Sequence, residues 1–333
     1  MIRNFVACFS LTLGMGLAPA GLSAAEIPQV TLSSSTVRAT IYLPDAKNGY
    51  YRATRFDWSG VIAGLESGGH SYFGKWFDSY DPKIHDAIMG PVEEFLTKGA
   101  GLGYDAAKAG GNFVKIGVGV LRKPDEAHFQ QFHTYVIVDT GQWTVHGGQD
   151  WIEFTQVLDG GNGYAYVYRK RMSLAEDRPE LTIEHSLKNT GTQTIETSVY
   201  EHNFYMLDAQ ETGPGFVIRF PFNVRARRDL GGIAEVRGKE IVYLREMAKR
   251  ESAATDLDGY GATAADYDIR VENRKTGAGV RQKGDQPMTR LYLWSIHTTV
   301  CPEAYIDLSI PPGQESKWRI AYEFYSVPPA GKE

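Results

Sequence analysis

The feature that most constrains the fold of this chain is an alternation of apolar and polar residues with a period of two, which begins at Val30 and continues to the end. Short segments at residues 134–138, 151–154 and 181–187 show it clearly, and each is bounded by turn residues such as Asp, Asn, Pro and Gly. Alternation at this period is typical of β-strands with one buried face. Because turn signals recur at regular intervals, we predict an all-β fold of antiparallel sheets packed face to face.

Helical patterns are scarce in the sequence. The best candidate covers residues 91–98, where Pro91 precedes two acidic residues in what would be the first turn. No Pro/Ser-rich linker, charge run or fixed-period repeat divides the chain. We therefore expect few short helices, and one domain that covers residues 26–333.

The first 25 residues have the pattern of a cleaved export signal. Arg3 precedes an apolar stretch over residues 5–22, and Ser23 and Ala25 are the small residues that a signal peptidase recognises. A lipid anchor on Cys8 is disfavoured, because most of the apolar stretch follows that residue. We expect cleavage after Ala25 and a periplasmic or secreted protein. No later segment approaches the roughly 20 apolar residues of a membrane span, so no membrane association is expected after cleavage.

The cysteine content and the charge exclude two further classes. Cys301 is the one cysteine left after the expected cleavage, so no internal disulfide can form and stability must come from the apolar core. The formal net charge is −5 and the basic residues are scattered, so no nucleic-acid partner is expected. The many aromatic residues suit stacking on sugar rings and a β-sandwich core equally well.

One long segment, residues 68–111, does not follow the strand pattern. It is rich in glycine, aromatic and charged residues, among them Trp76, His85 and Asp86. A loop of this length is either functional or disordered, and its aromatic content argues against disorder. We therefore predict an ordered excursion that forms one wall of a cleft.

Two blocks of the sequence carry a family resemblance. The first reads LTIEHSLKNTG at 181–191 and resumes after a turn as IETSVYEHNF at 195–204. The second reads WSIHTTVCPE at 294–303, then LSIPPGQE at 308–315, before an aromatic strand at 318–325. These blocks resemble the central and closing blocks of the galactose mutarotase (aldose 1-epimerase) superfamily. The resemblance implies a β-supersandwich of two large antiparallel sheets, one of them concave and carrying a sugar site.

The resemblance also implies two catalytic residues. His202 matches the family's general acid, which protonates the ring oxygen, and Glu303 matches the catalytic base of a Cys-x-Glu motif. An ordinary histidine pKa near 6.5 suits proton exchange at neutral pH. Mutarotation requires one group to take the proton of the anomeric hydroxyl and another to protonate the ring oxygen, from opposite sides of that region. The alternatives are a structural histidine and a solvated glutamate in a turn after Pro302.

Four further positions match the family as substrate-binding residues. Arg52 and Arg55 resemble an N-terminal arginine that contacts sugar hydroxyls, and His133, ahead of Trp143, is the candidate second histidine. Lys115 is a candidate for the same wall. The planar fork of an arginine would also hold a uronate or a phosphate group.

The sequence departs from the family pattern at two places. The usual Leu-His-Gly-Gly is absent, and the VHGG at 145–148 has the pattern of a hairpin turn, so His146 receives no role. Glu201 replaces the residue that usually precedes the acid. A carboxylate at that position could raise the pKa of His202 or supply a different base.

Cofactor and metal signals are weak. The glycines of residues 110–119 are not followed by a helix pattern, which argues against a nucleotide loop. His70 and the His85–Asp86 pair lack zinc-like spacing, so we predict no metal and no cofactor.

The sequence therefore predicts an enzyme that binds a small sugar and interconverts aldose anomers. One alternative is a polysaccharide lyase or glycoside hydrolase on the same fold, in which Tyr200 or His202 takes a proton beside a uronate. The other alternative is an exported protein that binds glycans without catalysis. The shape of the cleft would separate a single sugar from a polymer.

Overall fold

The computed structural model describes residues 26–328, so the predicted export signal lies outside the described residues. Within that range the helical elements are two short 3-10 helices, Leu207–Ala209 and Ala264–Asp266. No helix among these residues is long and apolar enough to cross a membrane. The predictions of an all-β fold and of few short helices are confirmed.

The strands account for most of the remaining ordered structure. In chain order they are β1 Gln29–Ser33, β2 Val37–Tyr42, β3 Val61–Ser67, β4 His70–Phe73, β5 Val92–Leu96, β6 Asn112–Lys115, β7 Gly119–Arg122, β8 Val136–Asp139, β9 Gln142–Gly147, β10 Trp151–Asp159, β11 Ala165–Leu174, β12 Glu180–Asn189, β13 Ile195–His202, β14 Phe216–Arg219, β15 Arg225–Ala226, β16 Ala234–Arg237, β17 Glu240–Tyr243, β18 Ser252–Asp258, β19 Asp268–Asn273, β20 Ala278–Gly284, β21 Arg290–Ile296, β22 Thr299–Ile310 and β23 Glu315–Ser326.

These strands form two large sheets and two small ones. The ten-stranded sheet has the order β16-β17-β14-β19-β20-β23-β12-β11-β10-β9, and the six-stranded sheet has the order β15-β18-β21-β22-β13-β5. Strands β1–β4 and β6–β8 form the small sheets. The two large sheets meet in a buried apolar cluster that contains Tyr166 and Leu187 of the first and Val199 and Ile306 of the second. The predicted sandwich of two large antiparallel sheets is confirmed.

Alternation along β13 gives the two faces of the six-stranded sheet different contents. Val199 and Glu201 point into the interior between the large sheets, whereas Tyr200 and His202 lie on the outer face. Neighbouring strands keep the same phase, since Tyr200 is paired with Glu94 on one side and with Tyr305 on the other. Side chains of this outer face are Glu94, Tyr200, His202, Arg290, Tyr292, Trp294, Glu303 and Tyr305.

A second apolar cluster covers part of that outer face. It joins Phe56 and Trp76 from the loops, Phe113 from β6, and Phe204 and Cys301 from the sheet side. The loops and the small three-stranded sheet are therefore packed against the six-stranded sheet and leave a cavity between them.

The prediction of a helix at residues 91–98 was wrong, because this segment contains β5, which pairs antiparallel with β13. Its two acidic residues resembled a helix N-terminus in the sequence. In the structure they point to opposite faces, where Glu93 is paired with Lys170 and Glu94 with Arg55. Buried ion pairs to distant parts of the chain, rather than a helix dipole, account for the acidic residues.

Candidate functional site

A cavity of about 550 Å³ opens on the outer face of the six-stranded sheet. This volume lies in the ordinary range for small-molecule sites. Strands β13, β21 and β22 form its floor, and the excursion at residues 68–111 contributes Trp76, His85, Asp86 and Gly99 to its wall, as the sequence predicted. Polar and aromatic residues that line it are Arg55, Trp76, His85, Asp86, Gln131, Phe132, Tyr200, His202, Phe204, Arg290, Tyr292, Trp294, Glu303 and Tyr305.

His202 and Glu303 are in direct contact on the floor of the cavity. The distance from His202 Nε2 to Glu303 Oε1 is 3.3 Å, and the two side chains are 4% and 5% exposed. Phe204 stacks on the imidazole at 3.8 Å, and the Tyr305 hydroxyl donates to Glu303 Oε2 at 3.1 Å. Glu303 belongs to β22 and not to a turn, so the solvated-turn alternative does not apply. The pair is a buried acid–base contact that faces a cavity.

Burial shifts the pKa values of the two residues in opposite directions. Burial raises the pKa of the Glu303 carboxyl to about 8. Burial, assisted by the charge of Arg55, lowers the pKa of His202 well below its ordinary value. These opposite shifts favour a proton on the carboxyl rather than on the imidazole, which is the reverse of the starting state that the family roles imply. Both arrangements have the same net charge, so the proton can pass between the two residues without a change in pH.

A second polar network is centred on Glu94 at the edge of the cavity. Arg55 Nε lies 2.8 Å from Glu94 Oε2, and the Tyr200 hydroxyl donates to the same oxygen at 2.6 Å. Gln131 Nε2 donates to both carboxylate oxygens at 3.1 Å. Burial by itself would raise the pKa of Glu94, but Arg55, Lys115 and Tyr200 outweigh it and hold the pKa below the ordinary value. Glu94 is therefore an ionised carboxylate that orients Arg55 and Tyr200.

The structure brings some of the predicted site residues together and not others. Arg55, Tyr200, His202 and Glu303 line the same cavity. Three of the predicted substrate-binding residues, Arg52, Lys115 and His133, are not part of its lining.

The local contacts explain where these three residues lie instead. The backbone N–H of Arg52 donates to the Pro82 carbonyl at 2.7 Å, and its side chain does not reach the cavity lining. His133 is exposed with its ring edge against Tyr135. Lys115 is buried behind Glu94, 3.6 Å from Glu94 Oε1, and donates to the Phe95 carbonyl.

The pair His85–Asp86 is a cavity feature whose role the sequence did not reveal. His85 Nε2 lies 3.5 Å from Asp86 Oδ2, and the imidazole packs on Phe132 at 4.7 Å. Burial lowers the pKa of His85, while Asp86 opposes that effect. The sequence placed the pair in the excursion that was predicted to form a wall of the cleft, and its spacing argued against a zinc site. No substrate-binding role was assigned to either residue, although both line the cavity.

Behind the same sheet, a charged cluster lies in the interior between the two large sheets. Lys170 donates to Glu93 Oε2 and to the Ser59 carbonyl, and His185 Nε2 lies 2.7 Å from Glu93 Oε1. Glu201 is beside them, with its Oε1 3.8 Å from the same imidazole nitrogen. These side chains are at most 1% exposed. They do not line the cavity.

Comparisons with known proteins were informative at the level of structure. No protein-family profile and no curated protein matches the sequence. Solved structures do match. For each of the three that follow, the first coverage value is the share of this chain and the second is the share of the matched chain. They are a galactose mutarotase related enzyme from Lactobacillus acidophilus (13% identity, 90% and 98% coverage, TM-score 0.56), the GalM/aldose epimerase homologue from C. elegans (14%, 90% and 99%, 0.56), and a putative aldose 1-epimerase from Escherichia coli (12%, 90% and 100%, 0.52).

These similarities define the class of fold. The chain has the galactose mutarotase-like β-sandwich fold and is a highly divergent example of it, since the identities do not exceed 14% in these three comparisons. The resemblance inferred from the two sequence blocks is therefore confirmed at the level of the fold.

Proposed function

We propose that this chain is an exported enzyme that interconverts the anomers of a neutral aldose by acid–base catalysis. The observation that carries the proposal is the buried His202–Glu303 pair, whose side chains are in contact at the floor of a cavity of about 550 Å³. The fold supports it, because the similar structures include proteins described as mutarotases and aldose epimerases. Export rests on the signal-like pattern of residues 1–25.

One protonated and one unprotonated partner suffice for the reaction. Ring opening takes the proton from the anomeric hydroxyl and delivers a proton to the ring oxygen, and reclosure on the other face reverses both transfers. The two oxygens are bonded to the same carbon, so adjacent acid and base atoms can serve both. In the starting state Glu303 gives its proton and His202 Nε2 accepts one. This adjacent arrangement replaces the opposite-side arrangement expected from the sequence.

The charges in the cavity favour a neutral sugar. Arg55 is paired with Glu94, and Arg290 Nε lies 2.6 Å from Asp256 Oδ1. Each guanidinium therefore has its own carboxylate partner, and little net positive charge is left for a uronate or a phosphate group. Trp76, Trp294 and other rings supply flat apolar surfaces against which the C–H faces of a sugar can pack.

The direct test is polarimetry on freshly dissolved α-glucose and α-galactose. The wild-type protein should accelerate the approach to the equilibrium rotation in proportion to its concentration, above the spontaneous rate. A panel of pentoses and other hexoses would follow. If no aldose is accelerated, the proposal is wrong.

A second candidate function is favoured by one contact. The Tyr200 hydroxyl is 2.6 Å from Glu94 Oε2 and 3.2 Å from Arg55 Nη2, in the cavity that also contains His202. A polysaccharide lyase requires a base that removes the proton next to a uronate carboxylate. Burial and Glu94 raise the pKa of Tyr200 well above its ordinary value, so Tyr200 could act as this base only if it passed its own proton to Glu94. Ultraviolet absorbance of the unsaturated product, measured with uronate-containing polysaccharides, would detect this activity. Product formation without mutarotation would replace the first proposal by the second.

The pH dependence of mutarotation should reflect the single proton of the pair. Above pH 8 the pair loses its proton, because the pKa of Glu303 is about 8, and kcat/KM should fall as the acid is lost. Below that point activity should remain level until the pH is well under 6.5, because the lowered pKa of His202 keeps the base unprotonated. Rates corrected for spontaneous mutarotation, measured from pH 5 to 10, would check this. A rise in kcat/KM through pH 8 would contradict the assignment of Glu303 as the acid.

Asp256→Asn is expected to change the preference of the cavity between neutral and acidic sugars, because Asp256 is the carboxylate partner of Arg290. Removal of this carboxylate leaves Arg290 without its partner, so affinity for galacturonate should increase several-fold relative to galactose. Isothermal titration calorimetry with both sugars measures the ratio. Asp258→Asn is the matched control, since Asp258 lies on the same strand but is paired with Arg227, outside the cavity lining. An unchanged ratio in Asp256→Asn would show that Arg290 does not contact the position of the uronate group.

A further inference from the structure

We propose that Glu93, His185 and Glu201 form a structural site for one divalent transition-metal ion, preferably Zn²⁺, between the two large sheets. One donor atom from each residue lies within 4.8 Å of the other two. Sequence spacing predicted no metal, because the three donors come from β5, β12 and β13 and are far apart along the chain. An imidazole nitrogen with two carboxylates is a donor set that suits Zn²⁺.

The distances between the donors require only a small adjustment. His185 Nε2 is 2.7 Å from Glu93 Oε1 and 3.8 Å from Glu201 Oε1. Ligands about 2.0–2.2 Å from a tetrahedral zinc ion are about 3.3 Å apart. Binding of a zinc ion therefore requires the distance from His185 Nε2 to Glu93 Oε1 to increase, and the distance to Glu201 Oε1 to decrease, by roughly half an ångström each.

Glu201 provides the independent observation that points to a ligand. Its side chain is 1% exposed, and no protein N–H or O–H group among the described residues donates to either carboxyl oxygen. A neighbour within hydrogen-bonding reach is another carboxyl, that of Glu93. A buried carboxyl without partners is costly and rare in folded proteins. Coordination of a cation would supply the partner that the protein atoms do not.

Lys170 can support the proposed site from outside its donor atoms. Its ammonium lies close to the carboxyls of Asp57, Glu93 and Glu201. Lys170 donates to Glu93 Oε2, whereas Oε1 is the atom directed at His185, so the lysine can hold the carboxylate as an outer partner of the ion.

The surroundings fit a closed structural site. Trp318 stacks on the His185 ring at 4.7 Å with an interplanar angle of 4°, which fixes the orientation of the imidazole. A void of about 10 Å³ borders Glu201 and Trp318, so the packing next to the cluster is not completely tight. Because the cluster is buried and lies outside the sugar cavity, the ion would enter during folding, and its absence would leave the proposed sugar chemistry untouched.

Metal analysis of the full-length protein tests the proposal first. Wild-type protein from zinc-supplemented medium should contain about one zinc ion per chain after gel filtration. Glu201→Gln should contain less than a tenth of that amount. Glu196→Gln, a change of an exposed carboxylate on the same strand, should retain the ion.

Refolding gives a second measurement that does not depend on a variant. Protein unfolded in denaturant with a chelator is refolded with ZnCl₂, with CoCl₂ or with chelator alone. Zinc should raise the Tm by about 5 °C or more over the chelator sample. Cobalt should produce visible d–d absorption. Wild-type protein without bound metal, without a zinc-dependent Tm and without cobalt absorption would overturn the proposal and leave a proton shared between the carboxyls instead.

Discussion

Glu303→Gln is expected to lower the rate of mutarotation above the spontaneous background by a factor of about 10²–10⁴. An amide has almost the shape of the carboxyl but can neither give nor take the proton at Oε1, which lies 3.3 Å from His202 Nε2. His202→Gln should have an effect of similar size, because it removes the other half of the proton exchange. Polarimetry with galactose at several enzyme concentrations measures both.

Two controls separate chemistry from folding. Glu315→Gln changes an exposed carboxylate on β23 and should leave the rate unaltered. Tyr305→Phe removes the hydroxyl that donates to Glu303 Oε2 and should have a much smaller effect than loss of the carboxyl. Thermal unfolding followed by circular dichroism should show all four variants folded at the assay temperature. Near wild-type rates in folded Glu303→Gln would exclude this residue from the chemistry.

Lys170→Met is expected to destabilise the protein by about 3–5 kcal/mol. The Lys170 ammonium is fully buried and bonded to Glu93 and to the Ser59 carbonyl. Methionine fills a similar volume but leaves the Glu93 carboxylate without its cation in the dry interior. Chemical denaturation in urea, with the free energy of unfolding extrapolated to water, gives the size of the effect.

The control for this change is Lys188→Met, an exposed lysine on the neighbouring strand β12, which should alter the free energy of unfolding by less than about 0.5 kcal/mol. The double change Lys170→Met with Glu93→Gln should recover part of the loss, because the carboxylate bonded directly to Lys170 is then replaced by a neutral amide. A loss below about 1 kcal/mol in Lys170→Met alone would show that the carboxylate finds another partner or takes up a proton.

The sequence contained enough information for the fold and for the floor of the site. Alternation of apolar residues depends on local strand geometry, and it is visible without knowledge of the partners of each strand. His202 and Glu303 were found because each lies in a block with a recognisable pattern, at the end of β13 and near the start of β22. Their contact across the sheet follows from the pairing of these two strands.

The walls of the cavity were harder to predict, because they depend on how loops far apart in the sequence meet. Arg52 and Arg55 are equivalent in the sequence, yet only Arg55 meets Glu94, from another strand. His133 is exposed, while the two residues before it, Gln131 and Phe132, reach the cavity. The acidic pair at the start of β5 resembled a helix end because its buried partners, Arg55 and Lys170, are distant in the chain.

Adjacent residues on two strands of this sheet serve separate compartments of the molecule. Glu94 and His202 lie on the outer face, at or beside the cavity, whereas their neighbours Glu93 and Glu201 lie in the interior between the large sheets. Insertion or deletion of a single residue within β13 would therefore exchange their places, with the imidazole sent inward and a bare carboxylate outward. We expect this strand to accept length changes only in steps of two residues. The alternation of inward-facing and outward-facing positions along β13 is therefore as necessary to the site as the side chains themselves.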